Sequence, residues 1–425
     1  MQPSPQLVTA ATAAVDLVLP MTHPADAVLR EFFSAHRELG SHDRGFVAET
    51  VFTVLRHKRL LEHLLKQLGV PLTPRKLVLA ALIKLQGHSL SQLGQALKEE
   101  DREWSEKLKA AEVESLPAAV RLSLPDWIYD RIVAAASEQE AFEFGRAMLK
   151  PAPLDLRVNT VRSDRDSVLN ELKAAGFEAT PTPYSPVGIR LAGKPAINRH
   201  PLFTGGSVEV QDEGSQLLAY LLAPKRREMV VDFCAGAGGK TLALGALMQS
   251  QGRLYAFDIS EKRLNNLKPR LKRSGLSNVH PQLIQSENDI RIKRLGGKID
   301  RVLVDAPCSG LGTLRRNPDL KWRQSPQSVT ELAAKQKAIL ASAAGLLKPG
   351  GRLVFATCSI LAEENEAVVE AFLAARPDFQ LLDSQQVLDD SRVALESGRY
   401  FQLRPQKHQT DGFFAAVLER RGTAA

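Results

Sequence analysis

The sequence predicts an α/β protein: a doubly wound parallel sheet fills the C-terminal half, preceded by a small α/β module and an all-helical region. Three observations predict it. From Gln211 onward, short apolar runs bounded by glycine, proline or charge alternate with helical stretches. One run, Met229-Val-Val-Asp232-Phe233, leads into a glycine-rich turn. Two others, Arg301-Val-Leu-Val-Asp305 and Arg352-Leu-Val-Phe-Ala-Thr357, are each followed within a few residues by a cysteine. The carboxyl ends of parallel strands are where open α/β sheets place their chemistry.

The elements follow in order. From about Pro24 to Pro125 the pattern is helical: Leu60, Leu61, Leu64, Leu65 and Leu68 recur at helical spacing. Pro71 and Pro74 interrupt, and Val78, Ala81, Leu82 and Leu85 start a second amphipathic stripe. Residues 1–125 are therefore read as one helical domain. Residues 126–210 form a small α/β module, with an extended stretch at Asp155–Thr160, a helix at Ser167–Ala175 and a turn-rich piece at Pro181–Pro186. Residues 211–421 carry the sheet, with strands expected at Met229–Phe233, Arg253–Asp258, Val279–Ile284, Arg301–Asp305 and Arg352–Thr357. Helices are expected at Leu242–Met248, Glu261–Arg273 and Val329–Leu347. Asp411–Leu418 reads as a last strand, added antiparallel. The whole is a Rossmann-like arrangement.

Composition narrows the function classes. The chain has 425 residues, 44% apolar and 24% charged, which is the balance of a globular protein rather than a disordered or fibrous one. No apolar stretch reaches the roughly 20 residues that span a bilayer, and Met1–Thr12 lacks the pattern of a secretory signal. A cytoplasmic protein without membrane attachment is expected. A net charge of +8 favours a polyanionic partner, because cations bound to phosphates release condensed counterions. Three cysteines without a close pair argue against a disulfide framework or a zinc ribbon, and the histidines show no metal-ligand spacing. Cys234, Cys308 and Cys358 are expected as free thiols, the last two facing one pocket.

The turn Asp232-Phe-Cys234-Ala235-Gly236-Ala237-Gly238-Gly239-Lys240-Thr241 has two common look-alikes, and it fails both. A phosphate loop of the Walker type needs glycine where Cys234 stands, and a dinucleotide fingerprint needs glycine or alanine where Thr241 stands. What remains is a strand, a glycine turn and a helix start, with Asp258 closing the next strand about twenty residues on, where it can accept ribose hydroxyls. That suits a nucleoside without a polyphosphate, and S-adenosylmethionine fits.

These residues resemble the RNA cytosine carbon-5 methyltransferases of the Sun/Fmu group, which include the bacterial ribosomal RNA enzyme with a NusB-like N-terminal domain. The turn is similar to the family's cofactor motif, Asp305-Ala-Pro307-Cys308-Ser309-Gly310 to its fourth motif, and Ala356-Thr357-Cys358-Ser359 to its sixth. Val210–Gln216, Arg315–Trp322 and Asp411–Phe414 resemble further family stretches, Leu156–Thr160 the preceding small module, and Ser41–Glu49 the NusB-like region. The likeness is strong over about half the chain.

The resemblance implies an S-adenosylmethionine-dependent enzyme making 5-methylcytosine in RNA, most naturally ribosomal RNA, with transfer RNA as the rival substrate. It implies that Cys358 attacks carbon 6 of the cytosine, that Asp305 hydrogen-bonds the ring nitrogen, that Cys308 assists release and that Lys240 lies near the base. Cofactor contacts fall to Cys234, Ala235, Gly236, Ala237, Gly238, Gly239, Lys240, Asp258 and Asp305. Glu287, Asn288 and Asp289 are all in range for the acidic contact to the adenine, and Asp289 is taken because Ile290 can pack on the adenine edge. Arg315, Arg316, Lys321 and Arg323, with Trp322, are expected to meet phosphates and stack on bases. The family usually has Ala-Ala-Pro-Gly-Gly-Lys where this chain has Ala235-Gly-Ala-Gly-Gly-Lys240, so a looser turn is expected. No metal is implied, and a monomer is expected. The competing readings are a DNA-type enzyme with Cys308 as nucleophile and a non-catalytic RNA-binding scaffold.

Overall fold

The structure, a computed structural model, describes residues 3–422. It comprises two compact units: residues up to Pro151 together with Thr313–Pro326, and Ala152–Gly312 together with the chain from Gln327 onward.

The first unit is helical. Its principal helices are Pro5–Val18, Ala25–Ala35, Ser41–Gln67, Pro74–Lys84, Glu99–Ala110, Asp126–Ala135 and Glu138–Met148. The helix Pro5–Val18 starts before the region read as helical from sequence; the Ser4 hydroxyl accepts from Leu7 N at its start and proline occupies its first position. Thr73 and Pro74 start a later helix in the same way. The predicted stripe of Leu60, Leu61, Leu64 and Leu65 is buried against Val78, Leu79 and Leu82 in a common core. The long helix Ser41–Gln67 is kinked at His57, whose φ of −113° and ψ of 17° leave the helical region.

In the second unit, β1 (Leu154–Val158), β2 (Ala179–Pro181), β3 (Gly188–Leu191) and β4 (Val208–Val210) make a four-stranded antiparallel sheet in the order β2-β3-β1-β4. The helix Arg165–Ala174, capped by Asp164, buries Val168, Leu169 and Leu172 against it.

The larger sheet contains β5 (Met229–Asp232), β6 (Arg253–Asp258), β7 (Val279–Leu283), β8 (Ile299–Asp305), β9 (Leu347–Thr357), β10 (Phe379–Leu382), β11 (Phe401–Leu403) and β12 (Phe413–Arg420). Its order is β10-β12-β9-β8-β5-β6-β7, with β11 paired to β12. β5 to β9 run parallel, and β12 joins β9 antiparallel, as expected. The strands β10 and β11 lie in a stretch that carried no element in the sequence reading.

Neighbouring residues of the central strands enter opposite cores. Val230, Leu303 and Val354 pack under the helices Glu213–Leu222 and Gly239–Leu247, while Val231, Val302, Val304 and Phe355 pack against Ile339, Leu340, Val368 and Phe372. Both faces are covered, which is why these runs read as continuously apolar. The chain departs in one direction from β5 to β6 and in the other to β8. This reversal opens a crevice at the carboxyl ends of the strands.

Candidate active site

Four strand ends supply the site: Asp232 from β5, Asp258 from β6, Asp305 from β8 and Thr357 from β9, each followed by a loop. The loops enclose a cavity of about 950 Å³ lined by Cys234, Ala235, Gly236, Ala237, Gly239, Lys240, Asp258, Asp305, Cys308 and Cys358 among others. That lies toward the upper end of the range typical of small-molecule sites.

The two thiols face each other. Cys308 Sγ lies 3.4 Å from Cys358 Sγ, a contact distance, and neither is oxidised. The hydrogen bond to Cys358 pushes the Cys308 thiol well up; burial and the negative charges at Cys358 and Glu364 add to it. Cys308 therefore favours its protonated form, and either sulfur can donate in the contact between them. Lys240 Nζ donates to Asp305 Oδ2 at 2.7 Å and sits 5.5 Å from the Phe413 ring centroid. Burial disfavours its charge, but the Asp305 carboxylate overcomes that and holds the ammonium above its usual range.

Glycine packing locks the two thiol loops in place. Gly312 N donates to Cys358 O at 2.8 Å, Gly412 N donates to Gly312 O at 2.8 Å, and a Cβ on Gly312 would lie 2.3 Å from the Gly412 carbonyl oxygen. The stretch Asp411–Phe414 is thus tied to the thiols through backbone contact.

Three amides of the glycine turn are spent within the protein. Ala235 N donates to Phe257 O, Gly236 N to Asp258 Oδ2 and Gly238 N to Ala235 O, each at 2.8 Å. Asp258 also accepts from Ser260 N at 2.7 Å through its other oxygen, and each oxygen keeps a second lone pair for a ligand. Behind the turn, Thr241 Oγ1 donates to the buried Asp232 at 2.7 Å, and burial pushes that carboxyl up to about 7. Cys234 lines the cavity, and burial holds its thiol protonated. The Asp258 and Asp305 carboxylates on the cavity wall suit a cationic nucleoside, and S-adenosylmethionine fits on that ground.

Three expectations need correction. Asp289 does not line the cavity: it caps a short helix, accepting from Gln285 N and Arg291 N and pairing with Arg291, while Gln285, Ser286 and Glu287 line the wall. Gly238 faces away from it, and a Cβ there would sit 2.1 Å from Leu267 Cδ1. The turn is not loosened by its missing proline, because Arg270 Nη1 donates to Ala237 O and Arg157 Nη1 to Gly239 O, both at 2.6 Å. Glu209 pairs with Arg270 and Arg273 from behind.

The segment after the fourth motif also differs from its reading. Lys321 is 1% exposed and donates to Arg56 O at 2.7 Å, Trp322 Nε1 donates to Leu55 O at 2.8 Å, and Asp319 pairs with Arg323, all within the helical unit. Lys321 is buried in that unit rather than presented to phosphates, and the half-buried Trp322 indole is tied to that unit's backbone.

Sequence reasoning missed Arg263, Arg270 and Lys335 on the cavity wall, and Glu364 beneath the thiols. Arg270 carries a weak signal, one cation among several on a strongly basic helix. Glu364 carries none beside its neighbours Glu363 and Glu366. Among the described residues, no group of three or more His, Cys, Asp or Glu side chains is arranged to hold a metal ion, and no helix is long and apolar enough to cross a membrane.

The reversed parallel sheet and the crevice at its switch point are those of a Rossmann-like methyltransferase. The sequence model of the 16S rRNA methyltransferase RsmB/F family matches residues 219–419, and that of the ferredoxin-like domain of RsmF/B-like methyltransferases matches residues 124–198. The chain is 31% identical over 415 residues to the probable ribosomal RNA small subunit methyltransferase B of Synechocystis sp., covering 90% of this chain and 92% of that one. It is 30% identical over 422 residues to the probable enzyme of the same name from Bacillus subtilis, covering 91% and 92%. The solved structure of PH0851 superposes with a TM-score of 0.82 at 27% identity, covering 99% of this chain and 100% of that one. The chain belongs to the RsmB/F family of 16S rRNA methyltransferases, and its cofactor is S-adenosylmethionine.

Proposed function

We propose that this enzyme methylates carbon 5 of a cytosine in ribosomal RNA by way of a covalent bond from Cys358 to carbon 6. The observation that carries the reading is the pair of reduced sulfurs 3.4 Å apart in the same cavity as the Lys240–Asp305 pair and the glycine turn. Carbon 5 of cytosine is a poor nucleophile, and a thiolate bound at carbon 6 makes it enamine-like. Bound in the cavity, S-adenosylmethionine supplies an electrophilic methyl group.

The residues divide the remaining tasks. Cys358 is the attacking sulfur, as the likeness of Ala356–Ser359 to the family's sixth motif implies. Asp305, oriented by Lys240, hydrogen-bonds the ring nitrogen on which charge develops as the sulfur adds. Cys308 then takes part in removing the carbon-5 proton as the bond to Cys358 breaks. The target base must leave its stack to be reached by both reagents. Residues 1–125 and 126–210 would present folded RNA to residues 211–421, in a protein acting in the cytoplasm as a monomer.

RNA containing 5-fluorocytosine tests the assignment, since fluorine cannot leave as a proton does and the adduct persists. A covalent protein–RNA band lost in Cys358→Ser and kept in Cys308→Ser is expected. The opposite pattern makes Cys308 the nucleophile and overturns the reading. Bisulfite mapping of RNA from cells with and without the protein locates the cytosine, and a mark missing from transfer RNA alone would reject ribosomal RNA.

A further inference from the structure

Each thiol is followed by a serine, Cys308-Ser309 and Cys358-Ser359, and both serines end on one carboxylate. The Ser309 and Ser359 hydroxyls lie 3.1 Å apart, and both donate to Glu364 Oε2. Ser309 N donates to Oε1 at 2.8 Å. Gln336 Nε2 donates to Oε1 at 3.0 Å and to the Pro307 carbonyl at 2.9 Å. Ser309, Gln336 and Glu364 are 0% exposed and Ser359 is 2% exposed. Asn365 continues the clasp, donating to Ser359 O at 3.1 Å and accepting from the Thr357 hydroxyl.

A fully buried carboxylate satisfied by four donors, and in no ion pair among the described residues, is costly to desolvate. A core that needed only volume there would use an apolar side chain. We propose that Glu364 is the positioning residue of the release step, clasping the Cys308 loop to the Cys358 loop so that a second sulfur stands beside the covalent bond to be broken. This rests on the covalent route proposed above.

Once Cys358 carries the ring, its negative charge is gone and Cys308 can lose its own proton to solvent. The carbon-5 proton then passes to the Cys308 thiolate. The electron pair of that C–H bond becomes the C5–C6 double bond, and the C6–S bond leaves with its electrons as the Cys358 thiolate. No oxidant or reductant is needed. The Glu364 charge keeps the Cys308 sulfur a stronger proton acceptor in that step.

Glu364→Gln, Glu364→Asp and Ser309→Ala are compared with the wild-type enzyme on unmethylated 16S rRNA with S-adenosylmethionine. Single-turnover methyl transfer, steady-state turnover and the covalent band on denaturing gels are read. Turnover in Glu364→Gln is expected to fall about 10- to 100-fold while first-turnover transfer stays within a few-fold and the covalent band accumulates. The acid limb of its release rate is expected to move to lower pH, because the variant removes a charge that raises Cys308. Glu364→Asp should recover part of the turnover, and Ser309→Ala should show the same stall more weakly. Wild-type turnover without accumulated adduct, or equal loss of first-turnover and steady-state rates in Ser309→Ala, overturns the proposal. Absence of any Cys358-dependent adduct in the wild type and in Cys308→Ser overturns the covalent route beneath it.

Discussion

The indole N–H of Trp322 donates to the Leu55 carbonyl at 2.8 Å, filling a gap in the long helix opened by its kink at His57. The amide of Arg59, which would otherwise reach that carbonyl, donates to Ser123 Oγ at 2.9 Å instead. Lys321 Nζ serves the next carbonyl, Arg56 O, at 2.7 Å. A helix interrupted in this way needs outside partners for its freed groups, and these side chains supply them.

Trp322→Phe therefore leaves a carbonyl of the helical unit without its donor. It should cost about 1–3 kcal/mol in stability, measured by urea denaturation, and leave RNA affinity unchanged. A side chain that stacked on a base would instead lose about 1–3 kcal/mol of RNA binding.

His57 predicts a pH dependence. Burial, with Lys321 and Arg56 beside it, lowers its pKa from 6.5 to about 3, and its Nδ1 has no hydrogen-bond partner among the described residues. The unfolded chain takes up the proton below 6.5 and the folded chain does not until about 3. The stability this neutral imidazole confers is complete above 6.5 and declines as pH falls through that window, at up to about 1.4 kcal/mol per pH unit. Between pH 7 and 5 the wild type should lose more stability than His57→Gln, and equal losses would refute the point.

Arg270 holds the Ala237 carbonyl and is itself held by Glu209. Arg270→Ala removes a charge-assisted bond from the cofactor turn. It should weaken S-adenosylmethionine binding about tenfold, by calorimetry, with single-turnover transfer at saturating cofactor largely retained.

Gly236 and Gly238 both have positive φ, 57° and 83°, but differ in their surroundings. A Cβ on Gly236 meets nothing within 4 Å, whereas one on Gly238 strikes Leu267. Gly238→Ala should be the more destabilising in thermal melting by about 1–3 kcal/mol, since overpacking adds to backbone strain. Gly236→Ala, which faces the cavity, should act chiefly on cofactor affinity.

The catalytic sheet was legible because its strands, covered on both faces, are short apolar runs with sharp ends, and because periodicity and glycine placement are local properties. The family resemblance carried by the motifs likewise named Cys308, Cys358, Asp305, Lys240 and Asp258, and all five line one cavity. The strands Phe379–Leu382 and Phe401–Leu403 were not legible, being short pieces that exist only by pairing with Phe413–Arg420. The same holds for Asp289, whose carboxylate turned to backbone amides close by, and for Lys321 and Trp322, whose charge and ring suggested RNA.

Local chemistry along the chain thus specified which residue types stand at the strand ends, because backbone propensity and burial pattern act over a few neighbours. Which of them meet was settled by folding alone. Glu364 gathers serines 55 and 5 residues away, and Trp322 reaches a carbonyl 267 residues back. Burial forces every such polar group to find a partner, and in a folded chain that partner is set by proximity in space rather than by order in sequence.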